Sequence, residues 1–400
     1  MRSDTRSAFQ YGLGIFTLTA LLGLANATQL FGPLDQNQLL THLHSGTLGW
    51  ITMGVIGVAL WMFGGADRNM AVRVSAAATA AYVIAFWSGN FPARAIFGSI
   101  EGLVILYWWW FAFGSAMREG FGHVDIPKLS IALGLTTLVI GSALGITVQI
   151  LLAMGQAIPQ SPDLVGAHAS AQTGGYLVLV AAGIIEWQLT GGGSRGRGGL
   201  AQVAILFIAG LLVAVALLLG ITALAGPATL LTIIGIGFVV VRLGRAAMAV
   251  SWSSGGKRHI AMGVPFVALA VILQFLLVQQ FIASAGDISK VSLGLLHALD
   301  HSYFVGLMTN VLFGSILMFT ASARSSWAEQ VVFWGLNLGV LSFLGVLLFV
   351  GSGEGAKAFS HPVSYTAPIM GLSALLGIAV LLMRLQGSAV TAPAAAPART

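Results

Sequence analysis

Long apolar segments, separated by short polar or glycine- and proline-rich breaks, follow one another along almost the whole chain. Each segment has about twenty residues, the length that an α-helix needs to cross a hydrocarbon core of about 30 Å. The pattern predicts an all-α, polytopic membrane bundle of about twelve transmembrane helices. The predicted segments are 11–32, 42–64, 71–91, 97–116, 129–155, 165–189, 200–224, 228–247, 260–284, 291–321, 328–351 and 364–385.

The least marked break separates the seventh and eighth segments, where Gly226-Pro227 is the only sequence signal for a turn. We expect residues 1–388 to form a single transmembrane domain and the small-residue segment 389–400 to be a disordered cytoplasmic tail. The first segment also resembles a signal peptide, with Ala25-Asn26-Ala27 as a cleavage site, but its apolar character continues through Phe31, which favours retention.

The composition indicates that most of the protein's surface faces the lipid bilayer. Hydrophobic residues are 57% of the chain, charged residues are 8%, and the mean hydropathy is +0.92, whereas soluble domains carry about 25% charged residues. The net charge of +6 reflects topology, because basic residues concentrate on one side. If the N-terminus is cytoplasmic, only Arg94, Lys290 and Lys357 of the eighteen Lys and Arg lie outside. We therefore predict a bacterial-type inner-membrane protein with both termini cytoplasmic and no nucleic-acid partner.

The chain contains no cysteine, which excludes disulfides, thiolate metal sites and covalent haem attachment through cysteines. Histidine and methionine remain as the main ligands for a metal or a haem. Six histidines belong to the outer ends of even-numbered helices and are predicted to lie in one layer. They are His42, His44, His168, His297, His301 and His361. The other two, His123 and His259, are predicted to face solvent in cytoplasmic loops.

Histidine inside a membrane span is costly unless it has a partner, so it normally faces the bundle interior or a cavity. Any single one of these residues is compatible with a hydrogen-bonded helix interface. Convergence of several helices instead favours a haem held by two neutral imidazoles. Asp300 is the nearest acidic residue that is able to orient a histidine on the tenth helix. His297 and His301 are four residues apart and point to nearly the same side of that helix.

Several segments resemble the heme-copper oxidase subunit I superfamily, especially its divergent haem-binding branch, which includes nitric-oxide-response membrane proteins. The residues that carry the resemblance are 42–50, 166–168, 301–310 and Phe313-Gly314. The resemblance implies that His44 or His42 and His301 or His297 ligate haem b, that the ligand is nitric oxide or oxygen, and that a redox protein or quinol is the electron partner.

The sixth-helix His168 matches the position where oxidases of that family begin a copper site. The family adds a histidine pair on the seventh helix, but this chain has no histidine between His168 and His259, and it has Gln172 where many members have tyrosine. No copper centre is therefore expected. Glu101 is an intramembrane acid that is either a neutral, hydrogen-bonded carboxyl or a ligand of a non-haem metal, with His168 and His361 as further ligands. We favour a polar cavity without metal at this place.

Two other classes of function remain open. Twelve helices, abundant glycine and intramembrane acids are also typical of a secondary transporter or permease, although such proteins usually contain internal repeats and midplane polar residues. No repeat is obvious in this chain, and its polar residues gather near one face. A noncatalytic assembly factor that handles haem for another complex is the third possibility.

Overall fold

The computed structural model describes residues 1–120, 122–159, 162–193, 195–284, 290–320, 326–353 and 355–388. These residues form an all-α bundle. The long helices are α1 Ser3–Thr28, α2 Gln36–Phe63, α3 Asn69–Trp87, α4 Phe91–Glu119, α5 Ile126–Ala153, α6 164–190, α7 Arg197–Leu219, α8 Thr222–Met248, α9 Gly256–Ala283, α10 Leu293–Phe319, α11 Trp327–Phe349 and α12 Val363–Gly387. All except α6 are long and apolar enough by composition to cross a membrane. The predicted tail at 389–400 lies outside the described residues.

Each predicted segment coincides with one helix, so the predicted fold class is confirmed. The break between α7 and α8, however, lies at Gly220, where φ is +65°, and not at Gly226-Pro227. Glycine ends a helix in this left-handed conformation without the steric penalty of a Cβ atom. Pro227 lies in the first turn of the following helical segment, where its missing N–H costs no hydrogen bond.

Three helices, α2, α6 and α10, form the centre of the bundle. In their most apolar windows, α2 is 72% buried and α10 is 78% buried, compared with 33% to 50% for the other spans. In α6, nearly every residue from Val178 to Gln188 is buried. Since the outer helices shield these three from lipid, the centre is the part of the bundle that is best placed to hold a buried polar site.

Glycines at GxxxG spacing bring neighbouring helices together. A Cβ atom on Gly141 or Gly145 of α5 would meet Gln172 or His168 of α6 within 2.8 Å. A Cβ atom on Gly339 of α11 would likewise meet the backbone of Met370 in α12. These helices therefore pack closely because the glycines carry no side chain.

The two ends of the bundle differ in their polar contacts. One end, called here the N-terminal side, contains the ion pairs Arg2–Asp4, Arg242–Glu186 and Arg384–Glu329. The side chain of Glu186 is only 1% exposed and it binds Arg242 at 2.7 Å. The opposite end, the histidine side, joins the end of α1 to the start of α12 through Ser364, which donates to the carbonyl of Ala27 at 2.8 Å.

Candidate functional site

Each of the three central helices changes from α-helical to π-helical geometry near a histidine. The π-helical segments are Ser45–Thr52, directly after His44, Ala171–Leu177, three residues after His168, and Ser302–Thr309, directly after His301. The π-helix is rare and often occurs at functional sites, because its extra residue per turn re-aims the neighbouring side chains. All three central helices therefore contain a π-helical segment close to a histidine on the histidine side.

Side-chain caps define where these helices begin. Asp35 forms a capping box with Gln38 at the start of α2, Asp163 accepts from the N–H of Gly166 at the start of α6, and Ser292 accepts from the N–H of Leu295 at the start of α10. Such caps satisfy helix N–H groups that lack intrahelical partners. They set the depth at which the histidines enter the bundle.

Four histidines of the layer have the same hydrogen-bond arrangement. In each, the ring Nδ1–H donates to a backbone carbonyl oxygen, because a carbonyl only accepts. The pairs are His42 with Thr19 at 2.9 Å, His44 with Leu40 at 2.8 Å, His168 with Gly141 at 2.7 Å and His301 with His297 at 2.8 Å. Asp300 was named as the acidic residue nearest the two histidines of this helix, and the acceptor for His301 is the carbonyl of His297.

This arrangement selects one tautomer of the neutral imidazole, in which Nε2 carries a lone pair. Among the described residues, no group donates a hydrogen bond to Nε2 of any of these four rings. The four residues are half-buried. Metal-ligating histidines are oriented in this way, with the second nitrogen held by a carbonyl or carboxylate. The donor set therefore fits haem iron or another metal that accepts neutral imidazole.

The two histidines of α2 contact different neighbouring helices. His42 binds the carbonyl of Thr19 in α1. The His44 ring stacks on Phe86 of α3, with centroids 3.9 Å apart.

The sequence of α2 is partly repeated in α10, although no repeat was recognised from the sequence. His44, Ser45, Gly49 and Thr52 occur at the same spacing as His301, Ser302, Gly306 and Thr309. In both copies the serine is fully buried and the threonine hydroxyl donates to the carbonyl five residues earlier, at 2.9 Å. The repeat was hard to see because only four of nine positions match, but the shared π-helical geometry makes it evident.

Hydrogen bonds join the three π-helical segments below the histidines. Trp50 of α2 donates to the hydroxyl of Thr309 in α10 at 3.0 Å, and Tyr176 of α6 donates to the hydroxyl of Thr52 in α2 at 3.2 Å. All four side chains are buried. These bonds hold the central helices in register, and therefore hold the histidine rings at related depths.

Glu101 of α4 is 3% exposed and lines a small cavity with room for about one water molecule. Its Oε1 accepts from the hydroxyl of Thr79 at 3.0 Å, and its Oε2 has no hydrogen-bond partner among the described residues. Leu48 and Thr52 of α2 also line the cavity, but His168 and His361 do not. The carboxyl is thus adjacent to the central helix and separate from the histidines with which it was grouped as a metal site.

The remaining predicted site residues lie apart. His361 accepts from the N–H of Val363 at 3.3 Å, so it belongs to the start of α12. His297 is half-buried on α10, and its carbonyl orients His301. Within the part of the chain that the structure describes, no three His, Asp or Glu side chains lie close enough together to hold a metal ion.

His259 was predicted to face solvent in a loop, and this prediction is wrong. It lies in the first turn of α9 and is fully buried. Its Nδ1–H donates to Oδ1 of Asn310 at 2.9 Å, and Nδ2 of Asn310 donates to Asn337 at 2.8 Å. The neighbouring basic residue Arg258 suggested a loop, but it is also buried, beneath carbonyls of the segment before α9.

The chain was compared with protein-family models and with curated proteins, and neither comparison gives a match.

Proposed function

We propose that this protein binds b-type haem in the histidine layer and handles electrons or a diatomic gas, nitric oxide or oxygen. The observation that carries the proposal is the shared arrangement of His42, His44, His168 and His301, each with Nδ1–H bound to a carbonyl and with no hydrogen-bond donor to Nε2 among the described residues. The donors come from three helices that are distant in sequence. A purely structural histidine needs no such repeated orientation.

Haem would supply an iron that exchanges one electron, and it would also bind a diatomic gas if a single histidine held the iron. His42 or His44 of α2 and His301 or His297 of α10 are the residues that would hold it. The carbonyls of Thr19 and His297 hold the imidazoles of His42 and His301 in the ligating tautomer. Phe343, whose ring centroid lies 4.8 Å from that of His301, supplies an apolar neighbour on one side.

The proposed topology places both termini in the cytoplasm and the histidine side toward the outside of a bacterial-type inner membrane. The charge asymmetry supports this orientation, because the three buried ion pairs and most basic residues lie on the N-terminal side. Electrons would then come from an external redox protein or from a quinol. Labelling of single cysteines introduced at exposed Lys357 and His123 in intact cells tests the orientation; reaction of the His123 position alone would contradict it.

An absorption spectrum of the purified protein, oxidised and then reduced with dithionite, tests haem binding. We expect a Soret band that shifts on reduction. His42→Ala and His301→Ala are expected to lose most of the haem, because a methyl group supplies no axial bond. His123→Ala is the matched control, since His123 is exposed in the loop after α4. A protein without a Soret band after haem supplementation would favour the transporter class, for which the buried Glu101 carboxyl is the supporting observation.

A further inference from the structure

Glu101 of α4 is a buried carboxyl that the proposed haem site does not use. It is 3% exposed, and its Oε2 has no hydrogen-bond partner among the described residues. The cavity beside it lies between α2, α3, α4 and α5 and has room for about one water molecule. Among the described residues that line this cavity, Glu101 is the only titratable one and none is basic. The lining thus supplies no cation to compensate a negative charge on Glu101.

The polar groups that line the cavity with Glu101 offer hydrogen-bond acceptors and no spare donor. The hydroxyls of Thr52, Ser75 and Thr79 donate to the carbonyls of Thr47 at 2.9 Å and Ala71 at 2.8 Å and to Oε1 of Glu101 at 3.0 Å, respectively. Because a hydroxyl has one hydrogen, only lone pairs remain on these three oxygens. The indole N–H of Trp108, which also lines the cavity, donates to Ser75 at 2.8 Å. With an ionised Glu101, the described lining would contain acceptors alone.

A proton and a metal cation are the two species small enough to neutralise Glu101 in this space. A hard metal cation such as Mg²⁺ takes about six oxygen ligands. The described lining offers the carboxyl and three hydroxyls, and the hydroxyls of Thr52 and Ser75 already accept hydrogen bonds from Tyr176 and Trp108. A proton needs no further ligands. On Oε2 it removes a charge whose burial in a membrane span is costly, and it supplies the missing donor.

We propose that Glu101 is a proton-binding site, with the proton on Oε2 and a water molecule in the cavity as its exchange partner. The water would accept a hydrogen bond from the neutral carboxyl and donate to the lone pairs of Thr52 and Ser75, which matches the three bonds that a buried water typically makes. Release transfers the proton to this water as hydronium and leaves a carboxylate on Glu101. Thr52 belongs to the π-helical segment of α2 and accepts from Tyr176 of α6. The site therefore borders two of the three central helices, and it is independent of haem binding.

Infrared spectroscopy of the purified protein provides the test, because the C=O stretch of a neutral carboxylic acid lies apart from the bands of carboxylates and amides. Spectra of wild-type protein and Glu101→Gln are recorded at neutral pH, in light and in heavy water, and subtracted. We expect the wild-type protein to have a carboxylic-acid band that Glu101→Gln lacks and that moves to lower wavenumber in heavy water. Glu119→Gln is the matched control, since Glu119 is exposed and pairs with Lys128 at 2.7 Å, and it is expected to keep the band.

A second variant tests the same carboxyl without changing it. Thr79→Val removes the hydroxyl that donates to Oε1, so the band is expected to move to higher wavenumber because the carboxyl loses a hydrogen bond. Thr147→Val is its control, because that hydroxyl is exposed and donates to a carbonyl of its own helix. This comparison stands even if Glu101→Gln does not fold.

The possible results are distinct. Identical spectra of the wild-type protein and folded Glu101→Gln overturn the proton site. A band that heavy water does not move overturns exchange with water in the cavity. A band that is lost on addition of NaCl but not of choline chloride assigns the site to a metal cation and overturns the proposal as well. The spectra are recorded with and without added haem, so a failure of haem binding leaves this test valid.

Discussion

Asn310 connects three helices, α9, α10 and α11, and offers a quantitative test of the buried polar network. Its Nδ2 donates to the carbonyl of Gly306 at 2.9 Å, and Nδ2 of Asn337 donates to the carbonyl of Phe333 at 2.7 Å. These two bonds set the orientation of both amides. Oδ1 of Asn310 is therefore an acceptor, and His259 has to carry its proton on Nδ1.

The variant Asn310→Leu would leave the Nδ1–H of His259 and the Oδ1 of Asn337 without partners in the core. A buried polar group without a partner costs about 1 to 3 kcal/mol, so the two together predict a loss of about 2 to 6 kcal/mol in the free energy of unfolding. Hydrogen bonds between transmembrane helices measured by double-mutant cycles are weaker, about 0.6 kcal/mol on average and up to about 1.7 kcal/mol. We expect the coupling between His259 and Asn310 to lie in this second range.

Equilibrium unfolding in SDS, followed by circular dichroism, measures the cycle of His259→Phe, Asn310→Leu and the double variant. The double variant is expected to lose less stability than the two single variants together, because no buried N–H then lacks an acceptor. Asn310→Leu combined with Ser75→Ala is the control, since Ser75 binds Trp108 and shares no partner with Asn310. A coupling below about 0.3 kcal/mol for His259 and Asn310 would refute the network.

Two further predictions use the same assay. Gly306→Ala is expected to lower the free energy of unfolding by about 1 to 3 kcal/mol, because the new Cβ atom would overlap the ring of Phe266. Gly345→Ala, whose Cβ atom would meet nothing within 4 Å, is expected to have little effect, and equal losses in both variants would contradict the packing. Glu186→Gln is expected to cost up to about 3 to 5 kcal/mol, because Arg242 would lose its ion-pair partner inside the bundle. Adding Arg242→Gln should restore part of that loss, and a double variant less stable than Glu186→Gln would count against this reasoning.

Much of the candidate site was predictable from the sequence, and its details were not. The spacing of polar residues placed His42, His168 and His301 near one end of their helices, and the structure agrees. The acceptors of their Nδ1–H groups were not predictable, because two of them are carbonyls on other helices, Thr19 and Gly141. The acceptor for His301 is a carbonyl on its own helix, one turn earlier, because a backbone carbonyl at that distance competes with a side chain such as Asp300.

The burial of His259 shows another limit. Lys257 and Arg258 next to it indicated a solvent-exposed loop, and the positive-inside rule does place this end of α9 at the N-terminal side. Burial, however, depends on what covers a residue, and Asn310 and Asn337 come from helices far along the chain. The burial of Arg258 has the same origin, because only the packed structure shows which acceptors surround a guanidinium.

The sequence by itself determined the class of the protein and the number and placement of its helices. A chain in lipid has to satisfy its backbone hydrogen bonds within each segment, and it needs about twenty apolar residues to cross the bilayer. Both requirements can be recognised in the sequence. Only the tertiary structure decided which helices are central, where α2, α6 and α10 become π-helical, and which polar groups meet. Those properties arise from contacts between distant segments, because helix packing depends on small residues and polar partners that come together only in the folded bundle.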